Sequence, residues 1–141
     1  MAEETGLRLT EALRALSHEL VVKLDADACI LSRVLDDLLI IVTQTAVDEE
    51  SVGLGQGFLL SDYPATAAVI ETGAPATLTL DDDGVDELEA RLLRELGFAS
   101  LLMLPLEVAG TRWGLIEVYR REARAFTVDD ADLARRLGRI G

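Results

Sequence analysis

Basic residues are scarce in this chain: its 141 residues include 13 Lys and Arg against 26 Asp and Glu, a formal charge of −13. Such a charge repels phosphate backbones and anionic lipid surfaces at long range, so neither nucleic acid nor a membrane is expected as a partner. The single cysteine, Cys29, has no second thiol for an intramolecular disulfide, in keeping with a reducing compartment. Long hydrophobic runs are also missing. The longest, such as Leu38 to Val42 and Leu101 to Leu106, fall far short of the ~20 residues a membrane span requires. The chain opens Met1-Ala2-Glu3-Glu4, acidic where a signal peptide would be basic, and a cytoplasmic location is expected. Proline is scarce, with 3 residues, no repeat or low-complexity tract occurs, and 50% of residues are apolar. One globular domain over residues 1–141 is therefore expected, since a chain near that length buries roughly 68–70% of its unfolded surface.

What is present is a clear succession of periods. Leu9, Leu13, Leu16, Leu20 and Leu24 recur at spacings of four and three, with Arg8, Glu11, Arg14, Glu19 and Lys23 off that line, predicting an amphipathic helix over residues 7–24. From Ala28 the period becomes two, with Cys29, Leu31 and Arg33 on one side and Ala28, Ile30, Ser32 and Val34 on the other. Asp36-Asp37 supplies a two-residue turn into a second strand, Leu38 to Ala46, because Asp tolerates the positive φ required. Acidic residues mixed with Gly53, Gly55 and Gly57 mark Val47 to Gly57 as a surface loop suited to act as a lid. A short helix is predicted over Asp62 to Thr72, with Pro64 in its first turn and Gly73 as its stop, followed by a strand from Ala76 to Leu80.

Asp81-Asp82-Asp83 precede a helix with the apolar stripe Val85, Leu88, Leu92 and Leu96, and their charge complements the helix dipole. Gly97 at the position after the last turn predicts a Schellman ending that brings Phe98 onto Leu93. Phe98 to Val108 is an almost uniformly apolar strand, turned by Ala109-Gly110 into a second strand, Trp113 to Tyr119. Thr127 and Asp130 fit a capping box for a last helix over 127–141, with Leu133, Leu137 and Ile140 on one face. Hairpins with segregated helices predict an α+β domain with a largely antiparallel sheet. Because strand Phe98 to Leu106 is apolar nearly throughout, both its faces need cover. Helices 7–24 and 127–141 are assigned to one face and the helices between residues 62 and 96 to the other.

Catalytic signatures are absent. None of G-x-x-x-x-G-K-[ST], G-x-S-x-G or H-E-x-x-H occurs, and Gly53-x-Gly55-x-Gly57 lies between the wrong elements for a dinucleotide loop. No nucleophile with a base can be nominated, so no enzymatic activity is expected. Leu16-Ser17-His18-Glu19-Leu20 is similar to the phosphoacceptor box of histidine kinases, but the likeness stops at Leu20 and no ATP-binding boxes follow, which leaves His18 a solvated helix residue. Cys29, on a strand, reads as a small buried hydrophobe. Asp81-Asp82-Asp83-Gly84 with Asp86 and Glu87 lacks the alternating ligand spacing of a calcium loop and reads as helix capping. No metal or cofactor is expected.

Gly97 to Tyr119 followed by Arg124-Ala125-Phe126-Thr127 resembles the C-terminal half of a GAF domain. Thr66 to Pro75 is similar to the helix-Gly-x-Pro step of that family, and the first hairpin extends the likeness over roughly residues 7–141. The resemblance implies a curved, largely antiparallel sheet of five to six strands with helices on both faces, and a pocket roofed by the middle segment, here residues 47–96. It implies a non-catalytic sensory or regulatory module in signal transduction, which binds a small molecule, relays the event through its terminal helices and forms a homodimer through them. Carried onto this chain, the candidate ligand-binding residues are Phe58, Tyr63, Thr66, Val69 and Ile70, and the candidate interface is Leu9, Leu13, Leu16 and Leu20 with Leu133 and Leu137. The Asn-Lys-x-x-Phe-Asp-Glu pattern of cyclic-nucleotide-binding members is missing, and one Cys with one His fits none of the bilin, haem or sulfoxide-reducing patterns. No Lys or Arg lies between Arg33 and Arg91, so a phosphate would find few partners and an uncharged or apolar guest is expected. The alternative is a ligand-free dimerisation or protein-interaction domain.

Overall fold

The sheet grows outward from one hairpin, β5 (Ser100–Val108) and β6 (Thr111–Arg120), paired antiparallel. The computed structural model describes residues 2–47, 53–81 and 87–140, with side chains from Arg8 onward. Ala109 and Gly110 make the hairpin turn with φ of 51° and 79°, the two successive positive values whose twist matches that of the flanking strands. On the other edge of β6 lies β1 (Ala28–Leu35), then β2 (Leu38–Thr45), joined across Asp36, whose φ is 54°. Gly114 of β6 faces Arg33, and a Cβ there would overlap the backbone oxygen of Ser32, so the strands approach as closely as only glycine permits. The antiparallel pairing of Phe98–Tyr119 and the α+β architecture agree with the sequence reading.

Two short strands lie outside that reading. β3 (Gly57–Leu59) pairs with β2, and β7 (Arg139–Ile140) pairs in parallel with β5. With β4 (Ala76–Thr79) on β5, the sheet has seven described strands in the order β3-β2-β1-β6-β5-β4 with β7 beside β5. β7 forms because β4 covers only Ser100 to Met103 of β5, leaving later amides on that edge unpaired. Gly138 and Ile140 supply carbonyls to Glu107 and Ala109 at 3.0 and 2.8 Å, capping an edge that would otherwise invite other chains. The last helix, α4 (Val128–Leu137), therefore stops earlier than expected, and Ile140 leaves its face. Its capping box is as expected, with Asp130 N donating to Thr127 Oγ1 at 3.1 Å and Thr127 N to Asp130 Oδ2 at 2.8 Å.

Strand alternation divides the core in two. Cys29, Leu31, Leu102, Leu104, Leu106, Ile116 and Val118 meet α1 (Ala2–Lys23) and α4 on one face. Ala28, Ile30, Leu101, Met103, Leu115 and Tyr119 meet α2 (Pro64–Thr72) and α3 (Glu87–Leu96) on the other. The α3 stripe needs correction. Val85 lies outside the described residues and Leu88 is 45% exposed, whereas Glu89, Ala90 and Leu93 are buried. The Schellman ending explains the turn of the helix: Phe98 N bonds Leu93 O and Gly97 N bonds Arg94 O, both at 3.0 Å, with Gly97 at φ 83°. Phe98 is thereby drawn into the core over Leu93. Asp82 and Asp83, read as caps, also lie outside the described residues.

Candidate ligand cleft

The side chain that defines the site is Glu117, on a face of β6 where its neighbours Leu115 and Tyr119 are core residues. It pairs with Ile30 of β1 and Met103 of β5, so a carboxyl stands among apolar side chains at the middle of the sheet. Tyr119 Oη donates to Glu117 Oε2 at 2.9 Å, and its ring stacks on Phe98 with centroids 4.9 Å apart. Burial pushes the Glu117 carboxyl up to about 7; the hydrogen bond from Tyr119 opposes this and the nearby charge of Glu89 adds to it. Burial also raises the Tyr119 hydroxyl well above its usual value, followed by the charge of Glu117.

Glu89 comes from the first turn of α3, 3% exposed, and accepts a hydrogen bond from Thr66 Oγ1 of α2 at 2.6 Å. Thr66 sits in the first turn of α2, which Pro64 begins without the loss of a needed N–H. The cleft between these groups is further lined by Ile30, Ser32, Leu39 and Ile41 from the sheet and by Leu92 and Leu96 from α3. Ser32 is fully buried, and its Oγ has no hydrogen-bond partner among the described residues. The roof is β3 and the 3₁₀ turn Leu60–Asp62, where Phe58 and Tyr63 meet edge to face at 6.1 Å. Asp37 fastens that turn to the first hairpin, accepting from Ser61 N and Oγ at 2.9 and 2.8 Å. The recess with its mouth spans about 460 Å³.

Of the residues expected to bind ligand, Phe58, Tyr63 and Thr66 line the cleft. Val69 and Ile70 do not; they pack into the apolar cluster beneath the next turn of α2. Ser32, Glu89, Glu117 and Tyr119 were not anticipated. The signal for Glu117 was available in the strict alternation of Leu115, Glu117 and Tyr119, because a strand covered on both faces has no solvent side for a carboxylate. The leucine stripe assigned to a partner faces inward. Leu13, Leu16 and Leu20 are at most 5% exposed in the chain's own core, with Leu9, Leu133 and Leu137 partly buried against it. In the single chain the sheet face of Cys29, Leu104 and Val118 packs against that stripe.

Arg120, the residue after Tyr119, points to the opposite face and is 3% exposed. It donates to Leu24 O at 2.6 Å, Asp25 O at 3.3 Å and the carbonyls of Arg124 and Ala125 at 3.2 Å, lies 3.5 Å from Asp130 Oδ2, and covers the Phe126 ring at 3.9 Å. The strand that carries Glu117 thus ends in a guanidinium holding both the C-terminus of α1 and the first turn of α4. Cys29 is fully buried and burial pushes its thiol up to about 12, so it stays protonated. His18 is exposed. Among the described residues no three His, Cys, Asp or Glu side chains gather to hold a metal, and no helix is long and apolar enough to cross a membrane.

The sequence pattern of the GAF domain matches residues 8–140, and the chain belongs to that family. No curated protein matches it in sequence. Its fold is similar to the blue-light-absorbing GAF domain of PixJ from Thermosynechococcus elongatus, with a TM-score of 0.74 at 17% identity, covering 92% of this chain and 80% of that one. A phycocyanobilin-bound GAF domain from a cyanobacterial phytochrome gives 0.74 at 16% identity over 97% and 86% of the two chains. The GAF domain of a two-component sensor histidine kinase from Bacillus halodurans gives 0.67 at 17% identity over 86% and 84%.

Proposed function

We propose that this GAF domain is a non-catalytic sensory module, working in the cytoplasm, that takes a small molecule into the cleft between β1, β6, α2 and α3, under the β3 roof, and relays it through its terminal helices. The observation that carries the reading is the cleft itself: a mostly apolar lining, roofed by short elements, in which a fully buried hydroxyl, that of Ser32, lacks a partner among the described residues. A buried polar group left unsatisfied costs about 1–3 kcal/mol, which a ligand atom can recover. For such a relay the guest has to prefer one arrangement of the roof, since a ligand shifts a population only by binding one state better than the other. Arg120 supports the relay, since it ties the strand under the cleft to both terminal helices. An anionic guest is disfavoured by the two carboxyls.

The packing of the lining side chains Phe58 and Leu96 against the core favours a second reading, in which side chains fill the cleft and the domain only dimerises or holds a partner. Native mass spectrometry with a thermal screen separates the two. Sensing predicts a small molecule released on denaturation, or a metabolite that raises the thermal midpoint. A chain empty as purified, with a midpoint unmoved by a broad metabolite panel, would contradict sensing and leave the scaffold.

A further inference from the structure

Resting on the reading of the cleft as a ligand site, we infer that its guest is an organic cation, a protonated amine carried on a compact apolar body. The lining combines Glu89 and Glu117 with the hydroxyls of Ser32, Thr66, Tyr63 and Tyr119 in an otherwise apolar surface, and no Lys, Arg or His is among the described lining residues. The hydrogen bond from Tyr119 is the one Glu117 makes among the described residues, whereas a carboxylate has about four acceptor sites. Ser32 Oγ is fully buried and unpartnered among the described residues. Ser32 pairs with Leu115 and Ile30 with Glu117, which makes Ser32 and Glu117 diagonal neighbours on the cleft face, a separation of roughly 7–8 Å that a single ammonium between them can bridge. The fold does not need an acid there: a leucine at 117 would pack between Ile30 and Met103 without the cost of burying a carboxyl. What the acid adds is a charge that an ammonium neutralises, with the rings of Phe58 and Tyr63 placed to receive the apolar body and the cation's field.

Protonation supports the same chemistry. The titratable groups facing Glu117 are Tyr119 on its own strand, Glu89 from α3 and Tyr63 at the start of α2, while Cys29 of β1 lies on the opposite face of the sheet. Of these groups burial lifts Glu117 to about 7, so a bound ammonium keeps it ionised and binding should strengthen as pH rises from 6 to 8.

The test uses the whole chain and matched probes: benzylamine, phenethylamine and cyclohexylmethylamine, each with its alcohol and carboxylate counterpart, by thermal shift and calorimetry. The proposal expects at least one amine to bind with an affinity about tenfold or more above its alcohol, and no carboxylate to bind. Glu117→Gln, which keeps the shape and an acceptor for Tyr119, should remove that preference, and Ser32→Ala should weaken the amine several-fold. An amine that binds no tighter than its alcohol, or a preference that survives in Glu117→Gln, overturns the cation assignment. If alcohols or other neutral compounds bind equally well, the ligand site stands without the cation. If no compound of any charge binds, the ligand site fails with it.

Discussion

Arg120 and Glu117 are three residues apart on β6 and face opposite sides of it, and each is a charge the sheet would not tolerate without a reason. For Arg120 the reason is a set of four carbonyls and Asp130, which no other side chain is placed to satisfy together. Arg120→Met keeps much of the apolar stem but strands those acceptors, and should cost about 3 kcal/mol in chemical denaturation; a loss under about 1 kcal/mol would mean that water replaces the guanidinium. For Glu117 the described residues offer only the hydrogen bond from Tyr119, so the acid is a burden on stability. Its role was legible in principle from the alternation of Leu115, Glu117 and Tyr119. Glu89 was harder to see, because Leu88 and Leu92 suggest a stripe one residue away, and only the Schellman turn that seats Phe98 decides which face of α3 goes inward.

Among the elements, those with local chemistry were legible and those defined by distant pairing were not. Pro64 and Gly73 bound α2, Thr127 and Asp130 open α4, and Asp36 and Gly110 turn the hairpins, each through a conformation or hydrogen bond made within a few residues. β3 and β7 have three and two residues and exist because β2 and β5 present open edges, which is information held elsewhere in the chain. The leucine stripe of α1 was legible as a stripe, but a period of 3.6 does not say whether a sheet or a second copy covers it. Gly114 marks the closest approach of β1 and β6, with Ser32 on the other side. Gly114→Ala should therefore destabilise by about 1–3 kcal/mol and perturb the cleft as well as the sheet. A thermal midpoint unchanged by that substitution would contradict the strand spacing described here.

At the scale of the molecule, the formal charge of −13 and the half-buried acid Glu117 act in the same direction with pH. Glu117 has a folded value of about 7, above its ordinary 4.5, so the folded state binds the proton more tightly. The stability this contributes is fully present below pH about 4.5 and is lost as pH rises through 7, a change of about 3 kcal/mol for the empty protein. Comparing the wild type with Glu117→Gln isolates it from the general repulsion: the variant should be the more stable of the two at pH 8, and the difference should shrink towards pH 5. A gap independent of pH would show that the carboxyl is solvated rather than buried.

The two faces of the sheet carry different parts of the account, the cleft and roof on one and the terminal helices on the other, with β6 between them. A two-dimensional NMR screen of the isotope-labelled chain against a library of small organic compounds, amines included, tests that division most directly. The account predicts at least one compound whose shifts centre on Ser32, Tyr63, Glu89 and Glu117 and extend through Arg120 to Leu24, Asp25 and Asp130. Shifts that centre on another surface, or a library that leaves the cleft amides unmoved, would contradict it.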